Sequence, residues 1–481
     1  MKPVSYVDMN ANLGHLVRIF VGRRNVIVSY GSPRRTGVGL RGLPALLWAV
    51  ALVGACAAPG SGTSTSSGAA SGGTAGCGTA PVTLNAYFET GFDLPFKLSA
   101  EFTKQYPNVT WNITQDQFTN LINETPRVLA SSNPPDLIRL PTLTSFAKEG
   151  LLKNLDSYAK GFGWDKWPVP QLSQNRVGSD GTRGSGSLYA MGLNYSLTGI
   201  FYNKKQAAQI GMTEPPKTLA EFESFLAKAK AAGLLPIMEW GSAKSGMGLA
   251  FPLQALMASV GPVGPINDWI YGKSGATIDT APNLDAAKHL EQWIKSGYFP
   301  SDINAIEYTD SNARFTKGEG VFTFNGDWEN ADYDKNLPSN TGFFLMPSSQ
   351  AGGHPAAMSA PLTYGIAAKA KHADCAAFFF NWVASNSTAR QIDVTVGGSN
   401  PGGPAGSSVP SVTAGSVTSE TLAAGNVIGK AGTSMDFIAN ATSSIFAQGW
   451  TPELQKMVGG KQDPAGLLKA VQAEYQRELA G

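Results

Sequence analysis

Patterns typical of strands and of helices alternate in the first part of the chain in which apolar residues are regularly spaced. Alternating apolar and polar positions predict strands over residues 82–88 and 109–113, and a short apolar run predicts a third strand over 136–138. Apolar residues at helical spacing predict helices over 96–106 and 121–129. This order of strands and helices predicts a parallel sheet with crossover helices, which places the chain in the α/β class.

The same alternation resumes in the second half of the chain. A strand is predicted over residues 198–202, and Thr218 with Glu221 three residues later is typical of a capping box. The helix that follows this cap is expected to run to about Ala232. The later elements with regular spacing are predicted helices over 284–296, 375–384 and 467–479 and a predicted strand over 321–324. The segment 397–410 is rich in Gly, Pro and Ser, so we expect a loop there.

An export signal is expected before the folded body. A cluster of arginines precedes an apolar run over residues 43–53, which is shorter than the roughly 20 residues needed to span a bilayer. Residues 53–56 resemble the lipobox of bacterial lipoproteins, in which the cysteine, here Cys56, becomes the acylated N-terminus. The alternative is an ordinary secretory signal in which a cysteine occurs by chance. Residues 1–55 are therefore expected to form a leader and lipoprotein signal segment.

The residues after Cys56 predict a flexible tether. Every residue over 57–80 is Ala, Gly, Ser or Thr, except Pro59 and Cys77. Such a stretch has little to bury and behaves as a coil, and its 24 residues would span about 25–30 Å on average. Residues 56–80 are thus expected to hold a folded body away from a membrane surface.

Composition and charge narrow the possible partners. The chain is 42% hydrophobic and 15% charged, which does not suggest disorder. After the first sixty positions it has no apolar run of about eighteen residues, which excludes a polytopic membrane protein. Residues 1–55 hold seven Lys and Arg and one acid, so the rest has 30 basic and 34 acidic residues. A mildly acidic body argues against nucleic acid as a partner.

The cysteines leave two alternatives open. Three cysteines are too few for a disulfide framework. If Cys56 carries lipid, Cys77 and Cys375 are left to pair after export. The alternative is one thiol in the tether and one buried thiol.

Several stretches, in order along the chain, resemble the extracellular solute-binding proteins of ABC sugar importers, the family of maltose-binding protein. Residues 135–146 (PDLIRLPTLTSF) resemble the Pro-Asp strand of that family, and 315–328 resemble the segment that places a sugar-stacking tryptophan. Further matching stretches are found at 102–109, 149–156, 188–192, 201–218, 346–347 and 364–366. Leu219 stands where the family usually has an aromatic residue. The order and spacing of these stretches cover nearly all of residues 81–481.

The resemblance implies a two-lobe, periplasmic-binding-protein-like α/β fold of the class II type, with hinge strands between the lobes. Lobe 1 is expected over residues 81–190 plus 363–400, and lobe 2 over 193–360 plus 405–481. Two such lobes close on a ligand in the cleft between them. Sheets of this kind bind ligands outside the carboxyl ends of their strands.

The resemblance also implies a function. The chain would be the substrate-binding component of an ABC importer, without enzymatic activity, which captures a sugar or oligosaccharide and delivers it to permease subunits. It would act as a monomer on the extracellular face of the cell membrane, anchored by lipid on Cys56. Two alternatives stay open. One is a binder of another solute, such as a polyol, a glycerol phosphodiester or a peptide, and the other is a secreted glycoside hydrolase using acids such as Asp327 and Glu329.

Candidate ligand-binding residues combine aromatic rings with polar groups. Rings cover the C–H faces of a sugar, and polar side chains pair its hydroxyl groups, because a buried unpaired polar group costs about 1–3 kcal/mol. Trp328 follows a predicted strand and a glycine turn. Trp240 follows an apolar run over residues 234–238 that is predicted to be a strand, and its position resembles that of the second-lobe aromatic residue of the family. The alternatives are a core tryptophan or, for acids, a solvated turn. The remaining candidates, at strand ends, at the hinge or on a late segment, are Asp327, Tyr364, Glu89, Arg139, Asn194, Tyr195, Glu239 and Asp436.

Other chemistry is not indicated by the sequence. No G-x-S-x-G stretch occurs, and residues 272–274 (GKS) have Asn267 where a P-loop needs its first glycine. The four histidines are scattered without metal-ligand spacing. No metal and no cofactor is therefore expected.

Overall fold

The computed structural model describes residues 76–245, 248–404, 407 and 410–480, apart from the side chain of residue 170. The leader, the expected lipidation site at Cys56 and most of the expected tether lie outside these residues. Within the part of the chain that is described, no helix is long and apolar enough to cross a membrane.

The strands of the structure are, in chain order, β1 (Val82–Glu89), β2 (Val109–Asp116), β3 (Leu137–Arg139), β4 (Arg176–Val177), β5 (Ser187–Leu188), β6 (Ala190–Asn203), β7 (Phe322–Gly326), β8 (Thr341–Phe344), β9 (Ala357–Gly365) and β10 (Ser434–Met435). The helices are α1 (Leu94–Gln105), α2 (Phe118–Ala130), α3 (Thr144–Lys148), α4 (Asp156–Phe162), α5 (Val169–Ser173), α6 (Lys204–Gln209), α7 (Leu219–Ala231), α8 (Ala250–Val260), α9 (Val263–Ile270), α10 (Ala281–Lys295), α11 (Tyr308–Thr316), α12 (Asn330–Asn336), α13 (Ala373–Ser385), α14 (Ser387–Thr395), α15 (Val417–Ala431), α16 (Thr451–Val458) and α17 (Pro464–Ala480). A π-helix, Ile445–Trp450, precedes α16.

One sheet contains most of the strands, in the order β2-β1-β3-β9-β6-β7, with β8 beside β6 and β10 beside β9. β1 runs parallel to both β2 and β3, as the strand and helix pattern predicts. β9 is antiparallel to β3 and to β6. The parallel pairs of β1 with β2 and β3 come from the first part of the chain, and β10 adds a parallel pair with β9 in the second half. The antiparallel pairing of β9 with β3 joins these two parts of the sheet.

β6 connects the two lobes of the fold. Its first residues pair with β9, and its last residues, up to Asn203, pair with β7 and β8. The register of the β6–β9 pairing shifts between Gly192 and Tyr195. Such an irregularity bends a strand locally. It lies at the point where the chain passes from one lobe to the other.

Each lobe has its own large apolar core. The core of lobe 1 is built around Phe102, Trp164 and Phe379. A smaller cluster in the same lobe packs on the other side of β1, around Tyr87 and Leu121. The core of lobe 2 is larger and contains side chains from β6 to α17, including Phe222, Trp293 and Trp450. Burial of this apolar surface, at roughly 25 cal/mol per Å², is the main favourable term that stabilises each lobe.

Local sequence explains where individual elements begin and end. The predicted cap is confirmed at α7, where Thr218 Oγ1 accepts a hydrogen bond from the Glu221 N–H at 3.2 Å and the Glu221 carboxylate accepts one from the Lys217 N–H at 2.7 Å. Gly233 follows this helix with a φ of 73°, a conformation that favours glycine. The other predicted helices and strands are present with bounds that differ by a few residues, except that β6 begins eight residues before its predicted start and the run over residues 234–238 is not a strand.

The apolar run over residues 234–238 is not a strand of the sheet. It forms a single isolated bridge, in which Ile237 lies parallel to Phe322 of β7. Pro236 lies within the run and has no N–H to donate, so it prevents a continuous ladder. The run is buried in the core of lobe 2 and still leads directly to Glu239 and Trp240.

A disulfide bond joins the segment before β1 to helix α13 of lobe 1. Cys77 and Cys375 are bonded at 2.01 Å across a sequence separation of 298 residues. This confirms the pairing alternative for these cysteines. The Asn108 side chain also holds the segment before β1, because its amide donates hydrogen bonds to the carbonyls of Gly78 and Ala80. The chain therefore enters the folded body on lobe 1.

Candidate functional site

The structure brings Trp328 and Trp240 together in lobe 2. The Phe251 ring on α8 lies between them, with its centroid 6.1 Å from that of Trp328 and 5.3 Å from that of Trp240. Tyr308 packs edge-on to Trp240 at 4.7 Å, and Phe437 lies 5.2 Å from Phe251. These five side chains are called the aromatic group below. Trp240, Phe251 and Phe437 are buried, whereas Trp328 and Tyr308 are partly exposed and carry an indole N–H and a hydroxyl group.

Trp328 is fixed in position by contacts with two neighbouring residues. It lies in a 3₁₀ turn, Asp327–Glu329, that starts at the end of β7. A Cβ atom at Gly326 would lie 2.1 Å from the indole ring, so this ring can pack where it does only because residue 326 is glycine. The indole N–H donates a hydrogen bond to the Tyr308 hydroxyl at 2.7 Å. Trp328 is half-buried, whereas Trp240 is only 2% exposed.

The two acids beside these tryptophans are both buried. The Asp327 carboxylate accepts a hydrogen bond from the Ser399 hydroxyl at 2.6 Å, and the Glu239 carboxylate accepts one from the Phe324 N–H at 3.2 Å. Burial raises the pKa of each carboxyl group well above its usual range. Asp327 thus ties the end of β7 to the loop after α14, and Glu239 is fixed to β7 beneath the aromatic group.

Three of the predicted residues lie together in lobe 1. Glu89 ends β1 and Arg139 ends β3, and their side chains form an ion pair at 3.2 Å. The Arg139 guanidinium lies 5.6 Å from the centroid of the Phe118 ring and 6.0 Å from that of Tyr364 on β9. Because β1 and β3 are parallel, their carboxyl ends place these groups at the same edge of the sheet. Burial raises the pKa of Glu89, and the charge of Arg139 opposes this rise.

The two lobes are in contact beside this group. Phe118, at the start of α2, lies 6.2 Å from Phe446 in the π-helix of lobe 2. Ile122, one turn further along α2, packs against the core of lobe 2. The start of α2 is therefore an apolar bridge from the lobe 1 strand ends to lobe 2.

The remaining predicted residues already have partners or lie at the hinge. Asp436 forms a buried ion pair with Arg183 at 2.6 Å. The Tyr195 hydroxyl donates to the Gln171 carbonyl at 3.0 Å. Asn194 is buried in the irregular part of β6. In this conformation Asp436 and Tyr195 contribute to contacts within the chain, and Asn194 lies between the lobes.

Sequence reasoning missed Phe251, Tyr308 and Phe437 in the aromatic group and Phe118 in lobe 1. Phe251 lies in a helix that is apolar on nearly all sides, so nothing in its spacing distinguishes it from core. Phe437 directly follows the predicted residue Asp436, which is the one local signal in its favour. Tyr308 and Phe118 carry no local sequence signal and reach the site only through the packing of the folded chain.

Cavities are also found elsewhere in the described part of the chain, and two of them lie within single lobes. The larger, of about 690 Å³, lies within lobe 1 between α2 and the strands β1 and β2, and the smaller, of about 290 Å³, lies within lobe 2 after α8. Asparagine and acidic side chains dominate the larger one. Among the residues that the structure describes, no cluster of three or more His, Cys, Asp or Glu side chains could hold a metal ion.

The fold defines a two-lobe binding protein, and the comparisons agree. Residues 83–390 match the family of bacterial extracellular solute-binding proteins. The match covers more than half of the chain, and the chain therefore belongs to this family. A "probable sugar-binding periplasmic protein" of Mesorhizobium japonicum is 28% identical over 203 residues, which cover 40% of this chain and 43% of that protein. The matched region is thus less than half the length of this relative.

Solved structures show the same architecture. A chitin oligosaccharide binding protein has a TM-score of 0.69 at 20% identity, covering 83% of this chain and 99% of that chain. Maltose-bound MalE3 of T. maritima has a TM-score of 0.65 at 16% identity, covering 82% and 99%. RafE in complex with raffinose has a TM-score of 0.63 at 20% identity, covering 83% and 100%. At these identities the likeness establishes the fold.

Proposed function

We propose that this protein binds a sugar or oligosaccharide and delivers it to the permease of an ABC importer, without breaking or making a bond. The observation that carries the proposal is the aromatic group of lobe 2, in which Trp328 is half-buried at the end of β7. A partly exposed aromatic ring face next to hydrogen-bonding groups is an arrangement that suits a carbohydrate ring. The family and the sugar-binding relatives support this assignment.

The ligand would lie between the aromatic group and the strand ends of lobe 1. Trp328 would cover one face of a sugar ring, while Arg139 and Glu89 would exchange part of their ion pair for hydroxyl groups. Arg139 suits this role because its guanidinium carries several donors in a fixed geometry. Binding stabilises the closed arrangement only to the extent that the ligand contacts both lobes better when they are closed.

A ligand screen tests the proposal. We expect a rise in thermal stability with at least one of maltose, raffinose and chitin oligosaccharides, and no rise with peptides or glycerol phosphodiesters. A ligand at 100 times its dissociation constant stabilises the folded state by about 2.7 kcal/mol. Analysis of the sugar after incubation distinguishes a binder from a glycoside hydrolase. Cleaved products, or stabilisation by a peptide alone, would refute the proposal.

Replacing the aromatic surface tests the site itself. We expect Trp328→Ala to weaken sugar binding at least tenfold, which corresponds to about 1.4 kcal/mol. The matched control is Trp111→Phe, because Trp111 packs against the core of lobe 1, outside the aromatic group. Isothermal titration calorimetry measures both affinities. Equal losses in the two variants would mean that the aromatic group is not the binding surface.

We further propose that Cys56 carries the lipid that holds the protein on the extracellular face of the membrane, and that the closed form acts as a monomer on the permease. The supports are the lipobox-like residues 53–56 and the glycine-rich and serine-rich segment that follows them. Metabolic labelling with a fatty acid should mark the wild type and not Cys56→Ser. Labelling of both would place the lipid elsewhere.

A further inference from the structure

The half-buried indole of Trp328 is linked through one side chain to a carboxylate. The Trp328 N–H donates to the Tyr308 hydroxyl at 2.7 Å, and the Tyr308 hydroxyl donates in turn to Glu329 through a short hydrogen bond. Tyr308 lies at the start of α11, whereas Trp328 and Glu329 are neighbours in the 3₁₀ turn after β7. The turn is thereby fastened to a separate helix at two adjacent residues.

The Tyr308 hydroxyl has a second acceptor within reach. Its oxygen lies 3.3 Å from Oδ1 of Asn325. The amide of Asn325 is held in one orientation, because its nitrogen donates to Asn312 Oδ1 at 2.8 Å and its oxygen accepts from the Gly326 N–H at 2.9 Å. The Tyr308 proton therefore has two fixed acceptors, the carboxylate of Glu329 and the carbonyl of Asn325.

The charge on Glu329 decides which of these acceptors is used. An ionised carboxylate is an acceptor only, so it holds the Tyr308 proton and leaves the phenol oxygen free to accept the indole N–H. A protonated carboxyl group can itself donate to the phenol oxygen and compete with the indole. The Tyr308 proton then turns to Asn325, and the hydrogen bond that fixes Trp328 is weakened.

Glu329 changes its charge near neutral pH. Its burial raises its pKa to about 7, with a smaller rise from Asp332 and an opposing effect of the Tyr308 hydrogen bond. The other ionisable groups around this network are Tyr308, Tyr333 and, beyond Tyr333, Glu239. The pKa values of both tyrosines are raised well above their usual range, so neither ionises near neutral pH.

We propose that Glu329 is a positioning residue for ligand binding, which acts through Tyr308 to fix the indole of Trp328 against the ligand. This inference rests on the proposed function for its effect on affinity. The hydrogen-bonded chain from Glu329 through Tyr308 to Trp328, called the relay below, is itself independent of any ligand. Sugar affinity should be full when Glu329 is ionised and should fall as the pH drops below about 7. The loss of a hydrogen bond of this kind corresponds to a decrease of about threefold to tenfold in affinity.

The relay is tested first without a ligand. In protein labelled with ¹⁵N-tryptophan, the indole signal that disappears in Trp328→Phe belongs to Trp328. We expect this signal to shift with a midpoint near pH 7 in the wild type and to lose that shift in Glu329→Gln and in Tyr308→Phe. The matched control is Glu291→Gln, which removes a partly exposed carboxylate paired with Lys295 on α10. An unchanged titration in Glu329→Gln, or no titration in the wild type, would overturn the proposal.

The second test measures affinity between pH 5.5 and pH 8.5 for the sugar that binds in the screen of maltose, raffinose and chitin oligosaccharides. The wild type should lose affinity at low pH, and Glu329→Gln should show one affinity at all pH values. If no sugar binds, the proposed function fails while the indole titration still decides the relay. If Trp328→Ala weakens sugar binding but the affinity of Glu329→Gln depends on pH as in the wild type, the relay is refuted while the proposed binding site is supported.

Discussion

The disulfide bond of lobe 1 makes a strong quantitative prediction about stability. Cys77 lies just before β1, and Cys375 lies on α13, 298 residues further along the chain. Closing a loop of this length in the unfolded chain removes entropy that corresponds to about 5–6 kcal/mol at 25 °C in the loop-closure model. Measured values for disulfides are usually smaller, about 2–4 kcal/mol. We therefore expect Cys77→Ser/Cys375→Ser to lose about 2–6 kcal/mol of unfolding free energy.

The same bond should leave ligand binding unchanged. Both cysteines pack in or against the core of lobe 1, so the bond does not link the two lobes. The segment before β1 is also held by two hydrogen bonds from the Asn108 amide, which do not involve the cysteines. Opening and closing of the lobes should therefore proceed as in the wild type.

Thermal unfolding monitored by circular dichroism, with and without a reducing agent, measures this effect. With an unfolding entropy near 2.1 cal/mol/K per residue, the expected loss corresponds to a decrease in Tm of roughly 2–7 °C. The reduced wild type should match the double variant, and the reducing agent should not affect the variant further. A variant as stable as the oxidised wild type, or one with altered sugar affinity, would show that the loop-closure reasoning is wrong.

Two further substitutions test the geometry of the site and of the lobe contact. Gly326→Ala places a Cβ atom 2.1 Å from the Trp328 ring, so we expect it to displace the indole. Sugar binding measured by calorimetry should weaken at least tenfold. The control Gly264→Ala on α9, which has open space around the new Cβ atom, should bind sugar as the wild type does. Arg183→Met leaves the buried carboxylate of Asp436 without its partner, so we expect a loss of about 3–5 kcal/mol in urea unfolding. An additional Asp436→Asn substitution should recover part of this loss, and no recovery would contradict the ion-pair argument.

The strand and helix pattern predicted the architecture well because it depends on local spacing. The parallel order of β1, β2 and β3 follows from the crossover helices between them. The run over residues 234–238 was the wrong prediction, because Pro236 removes a ladder hydrogen bond from an otherwise apolar segment. The spacing of apolar residues indicates which face of a segment is buried, but the pairing of strands also requires free backbone N–H groups.

The site was less predictable because its contacts are distant in sequence. Trp328 and Trp240 were found from their positions after strand-like runs, but their proximity depends on Phe251 and Tyr308. Asp436 is paired with Arg183, which lies 253 residues earlier and carries no local signal of that role. A single sequence indicates which residue types lie at strand ends, whereas their partners are decided by how the helices pack.

The two sides of the proposed site differ in chemistry, and this difference explains how closure and recognition can be coupled. Lobe 2 supplies the partly exposed ring of Trp328, which is held by Gly326 and Tyr308. Lobe 1 supplies the Glu89–Arg139 pair, whose charges already satisfy one another. A ligand that only stacked on Trp328 would gain nothing from closure, whereas one that also replaced bonds of this pair would favour the closed form. Selectivity should therefore depend on the hydroxyl pattern facing lobe 1, and general affinity on the aromatic surface of lobe 2.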